Sequence, residues 1–275
     1  MQLLNNRLLS KYSSLYIFLF ICLLFISGCA QKPWDISLGE KEYEAGFQLA
    51  REMSVQNTQC VKAFHSDITL EYSNPLGKRT FSGFLQYSPI TNYKFVASNP
   101  LGQPVIIIAG NNKKYQMINT LESKYTAGGM TSFALRYNLP IHFLKGRWDD
   151  WLTGKNTIPT EFISDIRSDK QSRGIWITFE DSKGARNISH LLIDPENKII
   201  LQRVIETRQK KPLATIQYDN YLKDQSSCTQ PQHIDISGLE YGTTIKLQLS
   251  ETELTTDIKT YNLKAPQGYL RQFRP

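Results

Sequence analysis

The sequence predicts a mainly β protein: an antiparallel meander curled into an incomplete (half) β-barrel and closed by a few α-helices. Three observations carry this. From about residue 64 onward apolar and polar residues alternate in segment after segment, the period of a strand with one buried face. The segments are joined by short connections of turn chemistry, "DSKG" and "DPEN" among them, which suit antiparallel neighbours. So many strands cannot stay in one flat open sheet, and the few helical stretches then fall to its concave side.

Taken in order, residues 30–36 read as a short tether. Ser37-Leu38-Gly39-Glu40 has capping-box spacing, and Tyr43, Phe47, Ala50 and Met53 mark one helical face after it. Strands follow: Ile68, Leu70 and Tyr72 alternate, then Phe81, Gly83, Leu85 and Tyr87, then Tyr93, Phe95 and Ala97. "VIIIA" at residues 105–109 is apolar on both faces and predicts a central strand covered on both sides. "KKYQMIN" and "ESKYT" extend the series. A helical interlude comes next: "TSFALRYN" stops at Leu139-Pro140, and Leu144, Trp148, Trp151 and Leu152 form a stripe ahead of Gly154. Strands resume over 161–168, 175–180, 188–193, 199–205, 213–218, 234–237, 244–249 and 255–263. No break in composition marks a second domain. The concavity is either filled by the helices as plain core or holds a lipid-like ligand, and the pattern admits both.

The first 28 residues carry Arg7 and Lys11, no acids, and an apolar run over residues 15–26. That run has the length of a secretory h-region and is short for a spanning helix. Ile26-Ser27-Gly28-Cys29 follows, an aliphatic–small–small–Cys pattern that resembles the lipobox of bacterial lipoproteins. The resemblance implies a type II signal peptide over 1–28, acylation of Cys29, a lipidated tether over 29–36 and a half-barrel domain over 37–275. Stable anchoring takes more than one acyl chain, which a lipobox cysteine provides. The residue after Cys29 is Ala30, not the Asp linked to inner-membrane retention. The expected location is therefore the outer membrane, facing the periplasm. Of four cysteines, Cys22 leaves with the signal and Cys29 takes the lipid, so Cys60 and Cys228 are expected to pair in an oxidising compartment.

The net charge of +7 is scattered, which argues against a nucleic-acid surface and leaves a weak preference for anionic lipid headgroups. His65, His142, His190 and His233 are isolated, and there is no HExxH, nucleophile elbow, P-loop or dinucleotide fingerprint. Asp149-Asp150 reads as a solvated face. Neither an enzyme, a metal nor a cofactor is expected. A stronger lead is "SNPLG", written at Ser73 and again at Ser98. Asn, Pro and Gly suit positions i, i+1 and i+3 of a turn, and the i+2 position, normally polar, is Leu76 in one copy and Leu101 in the other. In an up-and-down meander both turns fall at the same end, roughly 10 Å apart. Two leucine tips beside Lys78 and Arg79 suit a membrane surface, which makes Leu76 and Leu101 candidate membrane contacts.

Residues 93–119, "YKFVASNPLGQPVIIIAGNNKKYQMIN", and the later "LPIHFLKGRWDDWLTG" resemble the LolB family of outer-membrane lipoprotein receptors over residues 64–154. The resemblance implies a half-barrel with an apolar cavity that takes acylated lipoproteins from a LolA-like periplasmic carrier and passes them to outer-membrane phospholipid. It gives Leu101 the membrane-contacting role. Phe95, Ile106, Ile108, Phe133, Leu144, Trp148, Trp151 and Trp176 are candidate cavity residues. An envelope scaffold with the same fold, handling no lipid, is the alternative.

Overall fold

The computed structural model describes residues 32–60, 62–89, 91–137, 139, 149–180, 187–223, 228–239 and 242–274. The alternating segments form one sheet of 15 strands. A two-residue strand β1 (Ile36–Ser37) and helix α1 (Glu40–Gln59) lead into a six-strand meander: β2 (Ala63–Asn74), β3 (Gly77–Ser88), β4 (Asn92–Ser98), β5 (Pro104–Gly110), β6 (Lys114–Asn119) and β7 (Lys124–Gly129). Two short helices, α2 (Met130–Arg136) and α3 (Asp149–Thr153), and a 3-10 turn over Thr160–Phe162 separate it from a second meander. That one comprises β8 (Ile163–Ser168), β9 (Ile175–Glu180), β10 (Asn187–Asp194), β11 (Ile199–Thr207), β12 (Pro212–Lys223), β13 (Thr229–Ser237) and β14 (Thr244–Thr255), with β15 (Leu270–Arg274) at the end of the chain. The two meanders join along an antiparallel seam between β14 and β2, where Thr255 lies opposite Ala63 and Thr244 opposite Ser73.

Alternation puts Ile68, Leu85, Tyr93, Met117, Ile177, Leu191, Ile216, Ile234 and Leu247 on the inner face, where they share one core with Ala50 and Met53 of α1, Ala134 of α2 and Leu152 of α3. Helix α1 lies over β8 and β9, and α3 over β13. The helices therefore fill one half of the concavity. At Gly83 a side chain would sit 1.8 Å from the carbonyl oxygen of Val96, so this position takes glycine because β3 closes tightly on β4 there.

Three expectations change. Ser37 does not cap α1: it pairs with Arg167 in the sheet, and its hydroxyl accepts a 2.6 Å bond from the Arg167 guanidinium. Gly39 occupies the N-cap, and its N–H donates to the Glu42 carboxylate at 2.9 Å. Secondly, β14 continues to Thr255 through a bulge between Ser250 and Glu253, and 256–269 is a strap, not a strand. The strap crosses the outer face, the side on which Val96, Ala109 and Ile118 are buried, and its own Tyr261, Leu263 and Ala265 are half-buried. Its alternation is that of a strand, but its partners are side chains. The Lys259 N–H donates to Ser88 Oγ (2.7 Å), and the Gln116 amide bonds both the N–H and the carbonyl of Leu263 (2.9 and 3.1 Å). It delivers β15 to a parallel pairing with β7. Thirdly, the described end of the expected tether is docked. Lys32 pairs with Glu206 (2.8 Å), and Trp34 stacks on His190 (centroids 4.1 Å apart) and leans on Trp176 (5.0 Å). Burial holds the His190 imidazole below its ordinary pKa, against the pull of Glu206.

Cys60, at the end of α1, is bonded to Cys228, just before β13, with the Cα atoms 5.4 Å apart. Among the described residues no helix is long and apolar enough to cross a membrane.

Candidate functional site

The half of the concavity that the helices leave open is a cavity of about 650 Å³, within the range of sites that bury a small ligand. Its floor is the inner face of the first meander and the seam: Leu70 and Tyr72 of β2, Phe81 of β3, Phe95 of β4, Ile106 and Ile108 of β5, Met117 of β6 and Ile245 of β14. Helix α2 forms its lid side. Phe133 packs on Tyr115 (4.9 Å) and Tyr137 (4.7 Å), the Tyr137 hydroxyl donates to Met117 Sδ (3.3 Å), and Leu139 completes the wall. Burial pushes the Tyr137 phenol up, so it stays neutral. The charged residues on the lining are all cations, namely Lys78, Arg79 and Arg136. Lys78 is held by Glu71 at 2.6 Å, and Arg136 lies over the Tyr137 ring.

The mouth is built by the first leucine turn: Asn74, Leu76, Gly77, Lys78 and Arg79 all line it. In that turn the Leu76 N–H donates to the Asn74 side-chain oxygen (2.9 Å), an Asx turn that leaves Leu76 94% exposed. The second copy has the same construction. The Leu101 N–H donates to Asn99 Oδ1 (3.0 Å), Gly102 closes the turn at a φ of 78°, and Leu101 is 82% exposed. As the meander requires, both turns lie at one end of the sheet. Sequence reasoning missed a third. Between β6 and β7 the Leu121 N–H donates to Asn119 Oδ1 (3.1 Å), and Leu121 is 79% exposed. The shared signal is Asn-x-Leu between strands; without Pro and Gly it does not stand out.

Of the cavity residues expected from sequence, Phe95, Ile106, Ile108 and Phe133 line the space. Trp151 packs with the central core and not on the lining. Trp176 is a correction: it lies on the outer face, in a separate cluster with Leu192, Val204 and Trp34, and its indole N–H donates to Asp169 (2.8 Å). On an alternating strand, the neighbours Ile175 and Ile177 take the inward direction and turn Trp176 outward. Leu144, Trp148 and Cys29 lie outside the described residues. Leu70, Phe81, Met117, Tyr137, Leu139 and Ile245 were not singled out, although Leu70, Phe81 and Met117 belong to the alternating strands already legible. Asp149 and Asp150 are also corrected. Both are buried at the start of α3, Asp149 accepting from the Tyr87 hydroxyl (2.8 Å) and Asp150 from the Thr157 hydroxyl and N–H (2.5 and 3.1 Å). Among the described residues no group of three His, Cys, Asp or Glu could hold a metal ion.

Fold and site together define a curled antiparallel half-barrel that keeps an apolar cavity beside its helices. Solved structures share this fold. An outer membrane lipoprotein-sorting protein domain from Vibrio parahaemolyticus matches with a TM-score of 0.50 at 10% identity, over 78% of this chain and 94% of that one. A DUF1329 family protein from Desulfovibrio piger matches with a TM-score of 0.53 at 10% identity, over 79% and 95%. A LolA superfamily protein from Nitrosomonas europaea aligns over 78% and 94% at 12% identity, with a TM-score of 0.45. No protein-family model matches the sequence, and no curated protein matches it. At 10% identity the likeness to the first two is one of fold.

Proposed function

We propose that this chain is a lipid-anchored receptor of the outer membrane, facing the periplasm, that accepts acylated lipoproteins from a LolA-like soluble carrier and passes them to the bilayer. It is a binding protein and does no covalent chemistry. The observation that carries the reading is the position of the cavity mouth. The turn that exposes Leu76 at the end of the sheet also lines the cavity with Leu76, Gly77, Lys78 and Arg79. An acyl chain leaving the cavity past Leu76 meets apolar surface on the way to a bilayer touching that end. Each methylene buried contributes about 0.8 kcal/mol, so the chain moves toward whichever compartment buries it better. The cations at the mouth suit phosphate headgroups and keep an anionic ligand at the entrance. Leu101, one hairpin away, is a second membrane contact.

The test is transfer of a labelled, acylated lipoprotein from purified carrier to this protein and on to vesicles. The unsubstituted chain is expected to accept cargo. Ile108→Arg, which places a charge inside the cavity, is expected to reduce acceptance at least tenfold. Leu101→Glu is expected to accept cargo but slow its delivery to vesicles. If the unsubstituted chain takes none, the reading is wrong and an envelope scaffold replaces it.

A further inference from the structure

The two cations that open β3 face opposite ways. Alternation puts Arg79 on the concave side with Phe81, which lines the cavity, and sends the Lys78 side chain outward. The outward cation is paired, Lys78 with Glu71 at 2.6 Å. Among the described residues Arg79 has no carboxylate partner. Arg136 comes from the other side of the space. Helix α2 starts at the deep end, where the Tyr93 hydroxyl reaches Met130 Sδ (3.7 Å), and runs back toward the mouth, where Tyr137 reaches Met117. Its last residue, Arg136, lies on the lining and likewise has no carboxylate partner among the described residues. Tyr72 stands opposite Arg79 on the same face. Its hydroxyl accepts from the Asn74 side-chain amide (3.1 Å) and keeps its own hydrogen to donate. Two guanidiniums and a phenol thus line the mouth, and no carboxylate lies on the described lining.

Inward of these donors the walls are apolar. Phe95 lies opposite Leu85, further along β3 from Arg79 by ~20 Å at ~3.3 Å per residue, so the lining has the depth of a long acyl chain. The deep end is blind: Tyr93, Tyr115 and Met130 are all buried there. The volume is about 650 Å³. A methylene is about the size of a water molecule, ~30 Å³, so the space takes roughly 20 such groups. That is one long chain with its head, and too little for two. A lipid with an uncharged head leaves both guanidiniums without a counter-charge, and a lipid with several tails overfills the cavity.

We propose that the cavity binds a single-chain anionic amphiphile, one acyl tail ending in a carboxylate or a phosphate, with the head between Arg79 and Arg136 and the tail along Phe95, Ile106 and Ile108 beneath Phe133. Guanidinium groups suit both heads, because each can take two parallel N–H bonds. Burial of the tail supplies the affinity, and the arginines select the head and set which end enters first. The inference rests on the reading that the cavity takes acyl chains and not on the receptor role. An acylated cysteine has an uncharged thioether and ester head and more than one tail, so the charge and the volume of this cavity point to a smaller ligand than that cargo.

The experiment uses the full chain, stripped of lipid and held in a non-ionic amphipol, with the fluorescent fatty acid cis-parinarate as probe. Palmitate, palmitoyl lysophosphatidylglycerol and monopalmitoylglycerol compete for it; the three share a tail, and the last has no charge. Palmitate or the lysophospholipid is expected to bind at least tenfold more tightly than monopalmitoylglycerol, at one molecule per chain. Whichever of the two is tighter identifies the head, and either result supports the proposal. Arg79→Gln and Arg136→Gln are each expected to narrow the preference for the anion at least fivefold, and Arg79→Lys and Arg136→Lys to keep most of it. Binding of monopalmitoylglycerol reports that the cavity of each variant is intact. Equal affinity for charged and uncharged ligands overturns the anion seat, and so does an unchanged preference in both glutamine variants. Two or more molecules per chain overturn the single-tail limit, and no displacement by any of the three overturns the proposal outright. Lipoprotein transfer is measured separately. Tight palmitate binding with no lipoprotein accepted leaves this inference standing and sinks the receptor reading, whereas acceptance of lipoprotein without palmitate binding does the reverse.

Discussion

Asn74, Asn99 and Asn119 do the same work three times: each accepts the N–H two residues on and turns a leucine into solvent. Two of the three were legible because Pro and Gly mark a turn; the third was not, because Asn-Thr-Leu has no such punctuation. Asp149 and Asp150 were misread for a different reason. Asp149 finds its partner in Tyr87, 62 residues away, and no local pattern encodes that meeting. Asp169 shows how much one carboxylate can organise. It takes bonds from the Arg173 guanidinium (2.9 and 3.0 Å) and backbone N–H (3.2 Å), from the Gln171 N–H (3.1 Å) and from the buried Trp176 indole (2.8 Å). Burial pushes its carboxyl up, but the bonds from Arg173 and Trp176 outweigh that and hold the pKa at about 2. A depressed carboxyl contributes stability that is complete above its unfolded value of about 3.9. That stability is lost as pH falls through about 2. Asp169→Asn is therefore expected to cost roughly 1.5–3 kcal/mol at pH 7. It is also expected to flatten the loss of stability below pH ~4, both read by urea unfolding.

At the scale of elements, the strands were the readable part. Period-2 alternation survives because one face of nearly every strand is buried, and Phe95, Ile106 and Ile108 reached the cavity by that rule. It failed where alternation has another cause. The strap over 256–269 alternates because it packs on the outer face, and Trp176 is large and buried because that face also has a core. Helix α1 illustrates how an element with a weak apolar stripe is kept in place. Only Gly46, Ala50 and Met53 of it are fully buried, and its last residue adjoins Cys60, tied to Cys228 across 168 residues. A cross-link closing so long a loop stabilises by roughly 4–5 kcal/mol in the chain-entropy model. The Cys60→Ser/Cys228→Ser double variant is expected to lose about 2–5 kcal/mol, with α1 amides exchanging first in native-state hydrogen exchange. Unchanged α1 protection would show that packing alone holds the helix.

At the scale of the molecule, two meanders share one sheet, the helices between them occupy half its concavity, and the remaining half is the cavity. The sequence could say that a curled sheet encloses either core or ligand; only packing decides, and it gives core in one half and an open cavity in the other. The chain end closes the structure: the strap is bonded to Ser88 and Gln116 on the outer face, and β15 covers the free edge of β7. Deleting 256–274 is expected to lower the melting temperature by roughly 5–10 °C and to raise dye binding to exposed apolar surface; an unchanged melting temperature would mean the strap is decoration. The seam between β14 and β2 has a consequence in time. Ala63 waits for Thr255, so a growing chain completes its first meander long before the partner of that meander's edge exists. Throughout that interval β2 offers unpaired N–H and C=O groups to any strand that comes near. Asp67 and Glu71, the charges on the outer face of β2, are of the kind that disfavours pairing of such an edge with a foreign strand until β14 is made.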